Sequence, residues 1–328
     1  EKILSTPLQE GNSHEDVVKL KENLVALGFG SFIFNQNYGP TTADTVKEFQ
    51  AYYGLPESGM AERVTLSKIE EILNSPLRRG KSHHSAIQLK EDLEILGFGS
   101  FIGNENYGPS TEQAVRDFQR SYRLPVSGIA DEKTIQRLRT EARKNVVKIF
   151  LDPGHGDHDP GGTGFGLREK DVVLDIAQKT FEVLTNEFIG VEVKLSRSND
   201  KFVELENRAR MANNWEADYF VSFHTNALNG SASGFETFIY NGGVSAETRN
   251  RQRDIHNYLI NRIDVNDRGM KEANFSVLRN SSMPAILLEY MFIDNKRENQ
   301  LLKSASYRNT LGRLTAEAIA DSFELQRR

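Results

Sequence analysis

Val146-Val147-Lys148-Ile149-Phe150-Leu151-Asp152-Pro153-Gly154-His155-Gly156 is an apolar run, broken only by Lys148, that empties into a glycine-rich turn carrying a histidine. Such a run is expected of a strand buried on both faces, because a strand with one wet face would alternate polar and apolar residues. Similar strand candidates follow at 191–195, 219–223, 234–240, 275–279 and 285–290, with helical patterns between them at 170–187, 204–214, 246–263 and 307–323. Alternating strands and helices predict an α/β domain over 146–328, with a mostly parallel or mixed central sheet of about six strands flanked by helices. Chemistry in such sheets gathers where strands end and loops begin.

The strand ends carry the candidate site. His155 follows the first run, and Val221-Ser222-Phe223-His224-Thr225-Asn226-Ala227 delivers a second histidine just past an apolar segment. Two such histidines converge if their strands are neighbours. The chain has no cysteine, so histidines and carboxylates are the available metal ligands. Glu169 opens the first long helix of the domain, where the helix dipole alone also favours an acid. Glu289 closes the run Ala285-Ile286-Leu287-Leu288, where a charge is expensive unless it is paired, metal-linked or functional. Arg208 and Asn213 lie on the helix at 204–214 and fit a helix packed on the sheet, while Asn226 orients substrate or caps its loop. His158 reads as loop decoration or support for the site, and His256 as a surface or boundary residue.

Outward toward the N-terminus the chain changes character. Gly11 meets Gly80, and the same offset carries Leu24, Leu27, Gly28 and Phe29 onto Leu93, Leu96, Gly97 and Phe98, Tyr38-Gly39-Pro40 onto Tyr107-Gly108-Pro109, and Phe49-Gln50 onto Phe118-Gln119. The period exceeds that of solenoid units, so each copy should hold its own core. Val17, Leu20, Leu24 and Leu27 share one helical face; a second helix with Val46, Phe49 and Tyr53 inside is capped by Thr41 or Thr42; a third, from about Glu62, turns Leu66, Ile69 and Ile72 inward. Each copy is thus expected to be a small all-α three-helix bundle. Tyr38, Phe49, Tyr107 and Phe118 are expected in the cores, with binding left to exposed loops at 30–38 and 99–107, and His14, His83 and His84 on the surface.

A length of 328 residues suggests two or three domains. With 38% hydrophobic and 27% charged residues the chain is a folded protein, and a net charge of −5 provides no basic field for nucleic acid. No apolar run approaches the ~20 residues of a membrane span, and residues 1–12 lack a signal-peptide pattern, although a signal removed before Glu1 would leave no trace.

The L-x-x-L-G-F, Y-G-P-x-T, F-Q and G-L-P-x-S-G pattern of residues 8–73 and 77–142 resembles the peptidoglycan-binding domains appended to wall hydrolases. Residues 147–325 resemble the type 3 family of zinc-dependent N-acetylmuramoyl-L-alanine amidases. The matching motifs are D-P-G-H-G at 152–156, Glu169, L-x-x-R-x-x-x-A-N at 205–213, S-x-H-x-N-A at 222–227, R-G at 268–269, and M-P-A-x-L-x-E at 283–289 with Phe292 and Asn295 beyond. The resemblance implies one Zn2+ held by His155, Glu169 and His224, with Glu289 as catalytic acid/base and Asn226 and Arg208 as candidate substrate contacts. It also implies bacterial peptidoglycan as partner, a monomer, and a secreted or wall-associated enzyme, a phage-encoded endolysin included. Asp157-His158-Asp159 and Tyr290-Met291 depart from the family pattern and bear on substrate contacts rather than on the metal. A zinc peptidase of stem peptides would need H-E-x-x-H or S-x-H-x-x-G-x-A-x-D, which the sequence lacks. A glycosidase would leave the strand-end histidines unexplained, and a non-catalytic wall-binding protein is the remaining alternative.

Overall fold

The computed structural model describes residues 8–328, so the stretch read for a leader lies partly outside them. The chain divides into two compact units, Glu1–Asn145 and Val146–Arg328.

The described residues of the first unit form helices as their regular elements and hold two apolar clusters. One is built on α1 (Glu15–Ala26), α2 (Pro40–Tyr53) and α3 (Arg63–Leu73), the other on α4 (Ser85–Ile95), α5 (Pro109–Ser121) and α6 (Glu132–Arg143). The repeated motif residues are structural. Phe49 and Phe118 are fully buried, and truncation of either to Ala would cost about 3–5 kcal/mol. The adjacent Gln50 and Gln119 each bond the closing turn, accepting from Gly59 N at 2.9 Å and Gly128 N at 2.9 Å. Tyr38 Oη and Tyr107 Oη donate to the carbonyls of the same glycines at 2.7 and 2.9 Å. The expected threonine cap is replaced: α2 starts at Pro40 behind Gly39, because proline needs no amide partner in the first helical turn.

Each copy also contains a caged lysine. Lys21 Nζ donates to Asn35 Oδ1 at 2.9 Å and to the carbonyls of Asn37 at 2.8 Å and Asn35 at 3.2 Å; Lys90 Nζ donates to Asn104 O and Oδ1, both at 2.8 Å. Both lysines are buried, yet the loops they grip raise Ile33 and Ile102 to 82% and 79% exposure.

The second unit carries a six-stranded sheet of order β4-β1-β5-β8-β6-β7. Its strands are β1 (Val147–Pro153), β4 (Val191–Leu195), β5 (Tyr219–Asn226), β6 (Phe235–Tyr240), β7 (Asp267–Ala273) and β8 (Ala285–Phe292), while β2 (Thr163–Gly164) and β3 (Leu167–Arg168) form a separate hairpin. β4, β1, β5 and β8 run parallel; β6 is antiparallel to β8 and parallel to β7. The sheet is therefore mixed. Alternate residues serve two cores. Ile149, Leu151, Val221, Phe223, Ile286 and Leu288 face α7 (Glu169–Glu187), α9 (Ala246–Ile260) and α12 (Ala305–Ser322). Phe150, Phe220, Ala285 and Leu287 face α8 (Leu205–Asn214) and α10 (Ser276–Arg279). Burial on both sides is why these strands read as unbroken apolar runs.

Two expectations fail at the far edge. Residues 275–279 are not a strand but include the short helix α10, whose Val277 and Leu278 are both buried against the second core. The sixth strand is β7, Asp-Arg-Gly-Met-Lys-Glu-Ala, which lies at the sheet edge with no fully buried residue and so has no apolar run to announce it. The polar helix α11 (Lys296–Lys303), capped by Asn295, also went unread. No helix among the described residues is long and apolar enough to cross a membrane.

Candidate metal centre

The parallel register decides what meets. β1 lies beside β5 with Pro153 opposite Phe223, and β5 lies beside β8 with His224 opposite Glu289. His155, just past β1, therefore comes beside His224 and Glu289, which lie in the last residues of β5 and β8. The β2–β3 hairpin returns the chain so that α7 begins with Glu169 at the same place. One ligand atom from each of His155, Glu169 and His224 lies within 4.8 Å of the others. Glu169 Oε1 stands 3.2 Å from His155 Nε2 and 2.8 Å from His224 Nδ1. Zinc bonded at about 2.0–2.2 Å holds neighbouring tetrahedral donors ~3.3 Å apart, so the donor set and its spacing suit that ion.

Each donor is aimed by a partner. His155 Nδ1 lies 2.7 Å from Asp159 Oδ2, which assigns its proton to that nitrogen and turns Nε2 toward the cluster. Glu169 accepts from Thr225 N at 3.0 Å and Gly162 N at 2.7 Å. Burial pushes the Glu169 carboxyl up, but the two imidazoles beside it outweigh that and hold it well below the usual carboxylate range. His155 itself sits at φ 61°, a strained position for a non-glycine residue. Gly154 is required before it: a Cβ there would come within 2.2 Å of the His224 ring.

A buried cationic frame holds that strained turn. Arg208 donates to Val203 O at 2.9 Å, Pro153 O at 2.7 Å, His155 O at 2.8 Å and Asp152 Oδ1 at 2.8 Å. Arg197 donates to Pro153 O at 3.0 Å and Gly154 O at 2.7 Å. Asp152 is fully buried and also accepts from Ser196 Oγ at 2.6 Å and Ser222 Oγ at 2.9 Å. Arg208 is thus a positioning residue, and its expectation as a substrate contact is corrected: at 2% exposure its guanidinium is consumed by the backbone of the histidine turn.

Glu289 is half-buried, with Oε2 shielded from solvent and without a hydrogen-bond partner. Burial, reinforced by the nearby charges of Glu169 and Glu236, raises its carboxyl well above the ordinary value. Glu236, opposite Glu289 on β6, accepts from Asn226 Nδ2 at 2.8 Å and Arg268 Nε at 2.9 Å, and also from Lys271 Nζ. Asn226 therefore braces Glu236 at the rim, half-buried. Tyr290 and Met291 are fully buried in the core beneath the sheet and touch no open cleft. His158 is exposed against Phe202, outside the cluster. His256, expected near the surface, is buried: Nδ1 lies 3.1 Å from Thr237 Oγ1 and Nε2 3.0 Å from Asp267 Oδ1, because α9 lays that face on β6. Asp159, Glu236, Asp152 and Arg197 were not singled out from sequence. Only Asp159 and Asp152 had a signal there, as acids flanking the histidine turn.

Fold and site together define a class: an α/β domain whose mixed sheet carries, at one end of its parallel strands, a His2Glu cluster beside a shielded acid. Residues 149–321 match the family model of N-acetylmuramoyl-L-alanine amidases, and 13–69 and 82–138 match that of putative peptidoglycan-binding domains. The chain belongs to the N-acetylmuramoyl-L-alanine amidase family and is a hydrolase of the amide between N-acetylmuramic acid and L-alanine. It is 47% identical over 182 residues to the sporulation-specific N-acetylmuramoyl-L-alanine amidase of Bacillus subtilis (strain 168), a match covering 56% of this chain and 70% of that one. It is 45% identical over 184 residues to an endolysin of Bacillus phage SPP1, covering 55% and 67%. The crystal structure of an N-acetylmuramoyl-L-alanine amidase from Clostridium difficile 630 aligns with TM-score 0.53 at 33% identity, over 55% of this chain and 98% of that one. The catalytic domain of CwlV from Bacillus (Paenibacillus) polymyxa var. colistinus aligns with TM-score 0.52 at 30% identity, over 55% and 100%.

Proposed function

We propose that His155, Glu169 and His224 hold one zinc ion and that Glu289 is the catalytic acid/base of the amidase reaction. The observation that carries this is the convergence of a His2Glu donor set beside a carboxylate oxygen, Glu289 Oε2, that is shielded and otherwise unpartnered. Zinc bound by three protein ligands supplies Lewis-acid polarisation and lowers the pKa of water toward ~7. Glu289 takes the proton of the attacking water at Oε2 and delivers it to the departing alanine nitrogen. Among the described residues Oε2 has no competing hydrogen-bond partner, so it is free to take the proton and to hold it until the leaving nitrogen accepts it. Glu169 is kept anionic by its imidazole neighbours and two backbone amides, ready to ligate. Asp159 keeps His155 in the tautomer that offers Nε2, and Arg208 and Arg197 hold the histidine turn in its strained form.

The catalytic domain in this reading spans 146–328 and is preceded by wall-binding repeats at 8–73 and 77–142. The exposed loop tips at Ile33 and Ile102, gripped by Lys21 and Lys90, are their contact points with peptidoglycan. Linked attachment raises the local concentration of insoluble substrate at the site. The enzyme acts at the cell wall, as a secreted or phage-encoded monomer.

The test is metal analysis joined to end-group analysis of digested wall. About one zinc per chain, activity lost to a chelator and recovered with zinc, and release of new N-terminal alanine are expected. A new N-terminus other than alanine would identify a peptidase of the stem, and full turnover in stripped protein would end the metal assignment.

A further inference from the structure

The hairpin that leads into Glu169 is closed by a two-residue turn, Phe165-Gly166, with φ of 43° and 87° and with Gly164 paired to Leu167. Such a turn needs positive φ at both central positions, which is why Asn-Gly is its favoured sequence. A phenylalanine at the first position carries the steric penalty of a left-handed backbone, and here its side chain is also 56% exposed. Neither local conformation nor burial rewards an aromatic ring at this point, and no ring or cation among the described residues packs on it.

The turn is rigidly mounted. Gly162 N donates to Glu169 Oε2 at 2.7 Å, and Asn299 Nδ2 donates to Gly164 O and to Ile293 O, each at 2.7 Å. A Cβ on Gly164 would lie 2.3 Å from Ile293 O, so the hairpin lies directly on the chain that follows Glu289. With arms of two residues, at about 3.4 Å each, the turn stands roughly 7 Å of backbone away from the start of α7 at Glu169. Leu228, in the loop beyond His224, is 71% exposed, and its N–H donates to Asp294 Oδ2 at 3.0 Å. The backbone carrying two exposed apolar side chains is therefore fixed against consecutive residues, Ile293 and Asp294, of the chain that follows Glu289.

We propose that Phe165 is a substrate-contact residue whose ring stacks on a sugar ring of the glycan strand beside the scissile amide, with Leu228 as a second apolar contact. A pyranose offers an apolar C–H face edged by hydroxyls, and a flat ring without donors covers that face without competing for them. The rigid turn holds the ring in place before substrate arrives, so little ordering entropy is lost on contact. The proposal rests on the amidase reading, since the bond cut lies next to N-acetylmuramic acid.

The test is Phe165→Asn in the full chain. Asparagine suits the left-handed position, so Tm rises by ~2 °C or more, while the half-saturating concentration of glycan-bearing substrate rises about tenfold and kcat changes less than twofold. Phe165→Trp keeps the wild-type half-saturation, and Leu228→Ser raises it in the same direction as Phe165→Asn. An unchanged half-saturating concentration in Phe165→Asn overturns the proposal. So does a loss confined to kcat, which would mean that the hairpin serves only to place Glu169. Release of N-terminal alanine by the wild type tests the underlying reading separately, so the two failures are distinguishable.

Discussion

Replacing Arg208 by methionine separates a residue that builds the site from one that touches substrate. The change strands Asp152, a fully buried carboxylate left with only the hydroxyls of Ser196 and Ser222, and it removes the donors to Val203 O and His155 O. Pro153 O keeps Arg197 Nε at 3.0 Å. Breaking a buried ion pair costs about 3–5 kcal/mol, and each abandoned buried carbonyl about 1–3. With the hydroxyls taking up part of the loss, the low end of that sum, about 5 kcal/mol, is expected, and at ~2–4 °C per kcal/mol for a domain of this size Tm falls by roughly 10–20 °C. Circular-dichroism melts of the zinc-loaded and zinc-free chain measure it, and zinc titration should show weaker binding because His155 loses its backbone anchor. A melting point within 2 °C of wild type, with only KM raised, would refute the reasoning and restore Arg208 as a substrate contact.

Glu289→Gln should keep zinc and fold while losing about 10²–10⁴-fold in kcat, read by alanine release; full activity would remove Glu289 from the proton path. Asp159→Asn should weaken zinc affinity about 10–100-fold, measured by competition with a chelator, with little change in Tm of the metal-free chain. Ile33→Asp with Ile102→Asp should reduce co-sedimentation with purified wall while the helical circular dichroism is retained, and undiminished binding would move the contact elsewhere in the repeats. Glu187, whose carboxyl is held below its ordinary value by hydrogen bonds from Arg313 and by Arg327, sets an acid-sensitive contact. Its folded pKa is the lower one, so the stabilisation is complete above the unfolded value of about 4.3 and fades as pH falls through the folded one. The Tm gap between wild type and Glu187→Gln, present at pH 6, should therefore close in acid.

The sequence alone determined the elements whose burial is uniform. β1, β5 and β8 are covered on both faces over most of their length, so most of their residues are under the same apolar demand and the runs could be read directly, down to the histidines and the glutamate near their ends. The duplication was equally legible, because the same Tyr, Phe, Gln and Gly residues rebuild the same turn in each copy. What only the tertiary structure decided lies where a side chain answers to a distant part of the chain. β7 is a polar edge strand defined by pairing with β6, and 275–279 is helical in part because that winding buries Val277 and Leu278 together. Arg208 is a frame rather than a contact because Asp152 and the His155 carbonyl lie beneath it, and Asp159 and Glu236 gain their roles from the neighbours that the histidine turn and the strand register bring to them. Local periodicity records how much water a residue must avoid, whereas the partner of a polar group is fixed by which strands lie side by side.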